Sequence, residues 1–293
     1  MGYLYLTLAL IGGLVKGFVG KRVSNDVHSL KDCIYVNFLR LFFCAIISFV
    51  ILITQQSFSF PPIAEIPFYL FSAVCMSAFC IVFMLGYKTA AYIYLSLFGM
   101  LGAVITGLLG HFIYKEPLSV YKILGMVLLI FAMVIMSKYN KAITLKDTKK
   151  ILPILILAAV SVSLSDFSQK IFVNEIGRNA AEYNFYTYSF SALLLIPAIF
   201  IAKGSLKANG APLTSVRHTI LCLLIAAALF MNSFSKTLAA NFLTSAEIYP
   251  VLQGANLIAS ALLAQILLKE KITTRAIIGM AIAFLGLVLM NLC

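Results

Sequence analysis

Among the ionisable side chains inside long apolar stretches of the sequence, four are candidates for chemistry: Lys16, Arg40, Asp166 and Glu247. A charged group at the centre of a bilayer costs ~2.5–3.5 kcal/mol on insertion scales, so such a group is usually paired or lines a polar pathway. We therefore treat each of these four residues as a candidate for ligand binding or proton transfer.

Each of these residues also has a structural explanation. Lys16 lies five residues before Lys21, ~7 Å along a helix, and could extend to the membrane interface. Asp166 and Lys170 have the i, i+4 spacing of an intrahelical ion pair. Arg40 has no acid three or four residues away, so it must pair with another helix, bind a ligand or extend towards the interface. Both explanations stay open.

Glu247 has no basic residue three or four positions away, and it precedes Pro250, which removes a helical hydrogen bond and predicts a kink. Freed carbonyls at membrane depth are tolerated where protein or a water-filled cavity receives them. Polar side chains then recur on one helix face: Tyr249, Gln253, Asn256 and Ser260. This stripe predicts a cavity lining or hydrogen bonds between helices. On a straight helix, Glu247 would point away from Asn256.

Together these patterns predict a polar site built from several apolar segments. The candidate substrate-binding residues are Lys16, Arg40, Asn184, Tyr188, Asn232, Glu247, Gln253 and Asn256. The candidate proton-coupling residues are Glu247 and Asp166. We expect no catalytic residue, cofactor or metal site, because the sequence has no Walker loop or dinucleotide-binding glycine motif and its histidines are scattered: His28, His111 and His218.

The composition indicates where these residues must lie. Of 293 residues, 62% are hydrophobic and 11% charged, and the mean hydropathy is +1.03, outside the range of soluble domains. A membrane-spanning helix needs ~20 apolar residues. Ten such stretches are predicted, at Tyr3–Gly20, Ile34–Thr54, Pro67–Tyr87, Ala91–Tyr114, Ser119–Ser137, Ile151–Lys170, Tyr183–Ala202, Thr219–Ala239, Ser245–Leu268 and Thr273–Leu292.

The two halves of the chain resemble each other. Lys115-Glu116 and Lys269-Glu270 each follow a long apolar run, 154 residues apart, and Asn37-Phe38 matches Asn184-Phe185. We predict a first five-helix repeat over 1–137, a basic loop over 138–150 and a second repeat over 151–293. Because five is odd, two tandem repeats must insert with opposite orientation, as in many secondary transporters.

The repeated segments resemble a known family. Ser245-Ala-Glu-Ile-Tyr-Pro-Val-Leu-Gln, Leu268-Lys-Glu-Lys-Ile-Thr and Ile278-Gly-Met are similar to the EamA-like repeat of the drug/metabolite transporter superfamily, and Lys115-Glu-Pro-Leu echoes it in the first half. Arg40 lies where that repeat often carries an arginine. The resemblance implies an all-α membrane protein with ten transmembrane helices in two inverted repeats around a central cavity. It also implies alternating access and transport of small metabolites.

The orientation in the membrane stays open. Most of the 22 basic residues fall in the odd-numbered connections, which the positive-inside rule places in the cytoplasm, with both termini outside. The family resemblance implies that both termini are cytoplasmic. We expect a multi-pass protein of a bacterial inner membrane. We therefore expect the basic residues that give the net charge of +12 to set the orientation in the membrane and to contact lipid headgroups. No nucleic acid partner is expected.

The leading hypothesis is a secondary transporter for a small polar or zwitterionic, amino-acid-like metabolite, with proton coupling and exchange both open. A flippase for a lipid-linked substrate is the alternative, and a membrane-embedded enzyme is disfavoured because the ten acids are dispersed. A mixed set of charges within the spans favours a zwitterion. The expected partners are the metabolite and membrane lipids, and a homodimer is an open alternative.

Overall fold

A computed structural model of the chain describes residues 1–89, 92–137, 145–204, 206–208, 211–213, 215–267 and 274–290. These residues form ten α-helices: α1 (Gly2–Ser24), α2 (Leu30–Thr54), α3 (Ile66–Thr89), α4 (Tyr92–Tyr114), α5 (Val120–Ser137), α6 (Leu145–Ile171), α7 (Ala180–Ile201), α8 (Val216–Ala239), α9 (Ser245–Leu267) and α10 (Thr274–Met290). Each corresponds to one predicted apolar stretch, so the helix predictions are confirmed.

Short irregular elements join some of the helices. A 3-10 turn, Ile63–Glu65, precedes α3, and a π-helical turn, Phe172–Ile176, follows α6. Two strands of two residues each, β1 (Lys207–Ala208) and β2 (Ala211–Pro212), pair antiparallel between α7 and α8.

Six helical segments are long and apolar enough to cross a membrane: Gly2–Ser24, Leu30–Thr54, Ile63–Lys88, Leu152–Ile176, Ala180–Ile201 and Val216–Ala239. Shorter apolar helices lie at Phe98–Tyr114, Val120–Ala132 and Ile277–Met290. Many large apolar side chains are exposed on these helices, as along α2 at Phe42, Ile46, Val50 and Ile53. Such faces suit lipid better than water. The chain is an integral, multi-pass membrane protein.

Local sequence signals set the start of α2, the end of the turn after α6 and the start of α7. Ser29 begins α2 with a capping box, in which its side chain accepts from Asp32 N at 3.1 Å while Asp32 accepts from Ser29 N at 2.8 Å. After the π-turn, Gly177 adopts φ +66°, which favours glycine. Asn179 then caps α7 by accepting from Ala181 N at 2.8 Å.

The chain forms two compact units, and each takes helices from both halves of the sequence. The first unit comprises Met1–Lys88 and Ser168–Asn241. Within it α1 packs against α8, α2 packs against both α7 and α8, and α7 touches α8. An aromatic cluster of Tyr69, Phe172, Tyr183 and Tyr186 is buried at one end of this unit.

The second unit comprises Thr89–Phe167 and Phe242–Cys293. Here α5 packs against α10, α4 packs against α9, and α9 also touches α10. The predicted repeat boundaries are a division along the sequence, whereas these units are a division in space. Residues 138–144 of the predicted basic loop and the second Lys-Glu pair, Lys269-Glu270, lie outside the described residues.

Candidate functional site

A close approach of α1 and α8 positions Lys16 in the first unit. A Cβ added to Gly12 would lie 2.7 Å from the Ala228 carbonyl oxygen, so only glycine fits here without a shift. One turn later, Lys16 Nζ lies 3.4 Å from Asn232 Oδ1 and 5.0 Å from the centroid of the Phe79 ring. Lys16 therefore faces protein and makes a cation–π contact.

Arg40 is a buried cation of the first unit. Its side chain is only 2% exposed. Its guanidinium donates one hydrogen bond, from Nη1 to Asn37 Oδ1 at 3.4 Å, and its Nε has no partner. In the described part of the chain it forms no ion pair. A buried charge without a counter-charge is costly, so this site is suited to an anionic group supplied from outside.

Two cations, Lys16 and Arg40, lie within the helices of the first unit. Arg40 lies one turn of α2 before the buried Cys44, and Lys16 contacts the ring of Phe79, which precedes the buried Cys80 on α3. The five carboxylates of this unit lie elsewhere, at or near helix ends: Asp26, Asp32, Glu65, Glu175 and Glu182. Among the described residues of this unit, the middle of the helices therefore holds two cations and no carboxylate.

Neutral acceptors lie on the helices that complete this unit. Gln169 Nε2 donates to Ser233 Oγ at 2.9 Å, while its Oε1 is buried without a hydrogen-bond partner. Asn184 Nδ2 donates to the Ala180 carbonyl at 2.7 Å, and its Oδ1 is likewise buried without a partner. Tyr188 is fully buried one turn further along α7. The unpartnered amide oxygens of Gln169 and Asn184 can accept a hydrogen bond from an ammonium or hydroxyl donor.

Glu247 lies in the second unit, in the first turn of α9. Its Oε1 lies 3.0 Å from Lys122 Nζ on α5, and its Oε2 accepts from Thr244 N at 2.9 Å. Glu116 adds a second carboxylate at this helix start by accepting from Ser245 N at 2.8 Å. Two carboxylates at a helix N-terminus are favoured by the helix dipole. Glu247 thus has a cation partner and a capping contact.

The rest of the polar stripe on α9 also lies in the second unit. Tyr249 is fully buried, Gln253 is half-buried, and Asn256 Oδ1 is buried without a hydrogen-bond partner. Ser260 Oγ donates to Ser96 Oγ on α4 at 3.2 Å. The stripe therefore faces protein along part of its length, and Ser260 supports the interhelical explanation. Asp166 on α6 is 2% exposed.

The structure thus divides the predicted site residues between the units. The first unit contains Lys16, Arg40, Asn184, Tyr188 and Asn232, of which Lys16 contacts Asn232, and the second contains Glu247, Gln253, Asn256 and Asp166. The sequence analysis missed Asn37, Gln169 and Lys122 as partners. Asn37 carried a signal in its match to Asn184, whereas Lys122 looked like an ordinary basic residue of a connection although it is 4% exposed on α5.

Comparisons with known proteins give the same assignment as the predicted resemblance. The family model of the EamA-like transporter family matches residues 1–138 and 149–292. One solved crystal structure aligns over 99% of this chain and 96% of its own chain, with a TM-score of 0.75 at 10% identity, which shows a shared fold alone. A search of curated proteins finds no match. On the family match, which covers nearly the whole sequence, the chain belongs to the EamA-like transporter family of the drug/metabolite transporter superfamily.

Proposed function

We propose that this protein is a secondary transporter for a small, amino-acid-like metabolite that carries a carboxylate. The observation that carries the proposal is Arg40, which is 2% exposed, has one hydrogen bond at 3.4 Å and forms no ion pair among the described residues. A bound carboxylate would supply the missing counter-charge and could accept from two guanidinium nitrogens at once.

The rest of the first unit supports a zwitterion over a simple anion. Lys16 adds a second positive charge to this unit, 3.4 Å from Asn232 Oδ1. The unpartnered oxygens of Asn184 and Gln169 offer neutral acceptors for an ammonium group. Neutral acceptors can bind an ammonium without cancelling the positive charge that attracts the carboxylate.

Alternating access between inverted repeats is the mechanism we propose. Three helices pack against the helix that comes five places later in the chain: α2 against α7, α4 against α9 and α5 against α10. The family model also matches two segments of similar length. Both observations support an internal duplication, in which the site lies near the membrane midplane and the repeats rock to expose it alternately.

For proton coupling we propose Asp166 rather than Glu247. Asp166 is a buried carboxylate within a membrane-spanning helix, where ionisable groups are usually functional. Glu247 pairs with Lys122 and caps α9 in the first turn of that helix, so we assign it a structural role. Coupling through Asp166 and uncoupled exchange predict different pH dependence of transport.

A binding experiment tests the substrate class. The purified full chain is titrated with zwitterionic, anionic and cationic metabolites while its thermal unfolding is followed. A ligand at a hundred times its Kd stabilises the folded state by ~2.7 kcal/mol. We expect carboxylate-bearing zwitterions to stabilise the wild type and Arg40→Met to weaken that binding at least tenfold.

The matched control is Arg178→Gln, which removes an arginine of the same unit that is already paired with Glu65 and Glu182. This variant should bind like the wild type. Stabilisation by cations alone, or unchanged binding in Arg40→Met, would overturn the proposal.

A further inference from the structure

An apolar groove runs along the outer face of the first unit between α2 and α7. Its volume is about 420 Å³, and its walls include Phe38, Phe42 and Phe49 from α2 and Phe185, Leu193 and Ile196 from α7. Leu193 is 58% exposed, so the groove opens away from the protein interior. Because both helices are long and apolar enough to span the membrane, the groove faces the lipid phase.

The length of the groove fits one acyl chain in one leaflet. From Phe38 to Phe49 the helix rises ~16 Å at 1.5 Å per residue. One leaflet contributes half of a hydrocarbon core of ~30 Å. Aromatic contacts close the groove at its Phe49 end. The Phe49 ring centroid lies 5.4 Å from that of Phe185 and 5.6 Å from that of Phe58.

The Phe38 end of the groove is basic. Lys31 lies seven residues before Phe38, on the same helical face as Phe38, Phe42 and Phe49. Lys203 lies two residues after the end of α7, where the chain leaves the helix. A Cβ added to Gly204 would lie 3.2 Å from Lys31 Cβ, so the chain leaving α7 runs against the start of α2. Two lysines therefore flank one end of the apolar groove.

No described carboxylate pairs with either of these lysines. Neither Lys31 nor Lys203 forms an ion pair with any described residue. Asp32, the nearest carboxylate in sequence, is buried and accepts from the backbone N–H groups of His28 and Ser29. An anionic headgroup would match the two free cations.

We propose that this groove is a binding site for one anionic phospholipid, with an acyl chain lying between α2 and α7 and the phosphate between Lys31 and Lys203. The charge at one end of the groove selects the headgroup, and the aromatic walls hold the chain. This site lies on a different face of α2 from Arg40, so it does not depend on the proposed substrate.

The test uses the full chain, purified in detergent and stripped of lipid. Dioleoyl phosphatidylglycerol and dioleoyl phosphatidylcholine are titrated separately, with bound lipid counted by native mass spectrometry and stability followed by thermal unfolding. We expect one retained phosphatidylglycerol and a higher unfolding midpoint, with phosphatidylcholine binding at least tenfold more weakly. Each lysine near a headgroup should contribute about fivefold in affinity, so Lys31→Gln with Lys203→Gln should weaken binding about 25-fold.

Control variants separate this site from general effects. Arg217→Gln removes an exposed basic residue at the start of α8 and should leave lipid binding unchanged. Ala45→Phe fills the groove and should remove the retained lipid, whereas Val74→Phe adds the same ring to an exposed position of α3 and should not.

Several outcomes would overturn the proposal. Equal binding of the two lipids would show ordinary solvation by lipid, and unchanged binding in the double lysine variant would remove the headgroup contact. Retention of lipid by Ala45→Phe would exclude the groove. A loss of dimer mass in that variant would make a second copy of the chain the occupant instead.

Discussion

The ammonium group of Lys122 lies 3.0 Å from the carboxylate of Glu247, and together they join the first turn of α5 to the first turn of α9. The other oxygen of the same carboxylate accepts from Thr244 N. Glu247 therefore stabilises the start of α9 through two contacts, which makes it a structural residue of the second unit. The sequence made Glu247 and Asp166 equal candidates for proton coupling, whereas this assignment predicts different effects for Glu247→Gln and Asp166→Asn.

Glu247→Gln should lower stability without changing the pH dependence of transport. Removing a hydrogen bond to a charged partner costs ~1.5–3 kcal/mol, and the unfolding midpoint should fall accordingly. Asp166→Asn should alter the pH dependence of uptake into liposomes. A pH profile that shifts in Glu247→Gln but not in Asp166→Asn would reverse the two roles.

Arg40→Met should separate stability from transport. Methionine fills a similar volume without a charge, and replacing buried ionic groups by apolar ones is often neutral or stabilising by ~1–4 kcal/mol. We expect an unfolding midpoint equal to or above that of the wild type in the absence of ligand, together with loss of uptake. Thermal unfolding and liposome uptake of the same preparation measure both. A clear fall in the midpoint would mean that Arg40 has a structural partner.

Gly12→Ala should disturb the contact between α1 and α8. The new methyl group would lie 2.7 Å from the Ala228 carbonyl and 2.8 Å from Asn232 N, so backbone must move. Overpacking of this kind costs ~1–3 kcal/mol, and the shift of Asn232 should also weaken substrate binding. Val15→Ala, at an exposed position of α1, is the control and should change stability by less than about 0.5 kcal/mol. Equal midpoints for both variants would contradict the close packing.

Ser29→Ala should loosen the start of α2. The Ser29 hydroxyl accepts from Asp32 N at 3.1 Å, and loss of such a cap costs ~0.5–2 kcal/mol. Hydrogen exchange should accelerate in the first turn of α2, while the middle of the helix near Arg40 stays protected. Thr54→Ala, at the exposed end of the same helix, is the matched control. Exchange that accelerates along the whole helix would show that the cap supports more than one turn.

The sequence by itself determined the ten helices, because apolar length and periodicity are local properties that the bilayer imposes on every segment. The predicted stretch Ser245–Leu268, for example, became α9 (Ser245–Leu267). Family membership followed from the segments around Lys115 and Ser245, and the family model confirms it. These conclusions needed no contact between distant residues.

Only the tertiary structure decided which polar residues meet. Arg40 and Glu247 looked alike in sequence, since neither has an opposite charge three or four residues away. Within the residues that the structure describes, Glu247 has a partner 125 residues distant, Lys122, and Arg40 has only Asn37. Ion pairing between helices depends on packing and not on spacing within one helix. For this reason the sequence could propose both residues as candidates for the site, while their different surroundings emerged only from the folded chain.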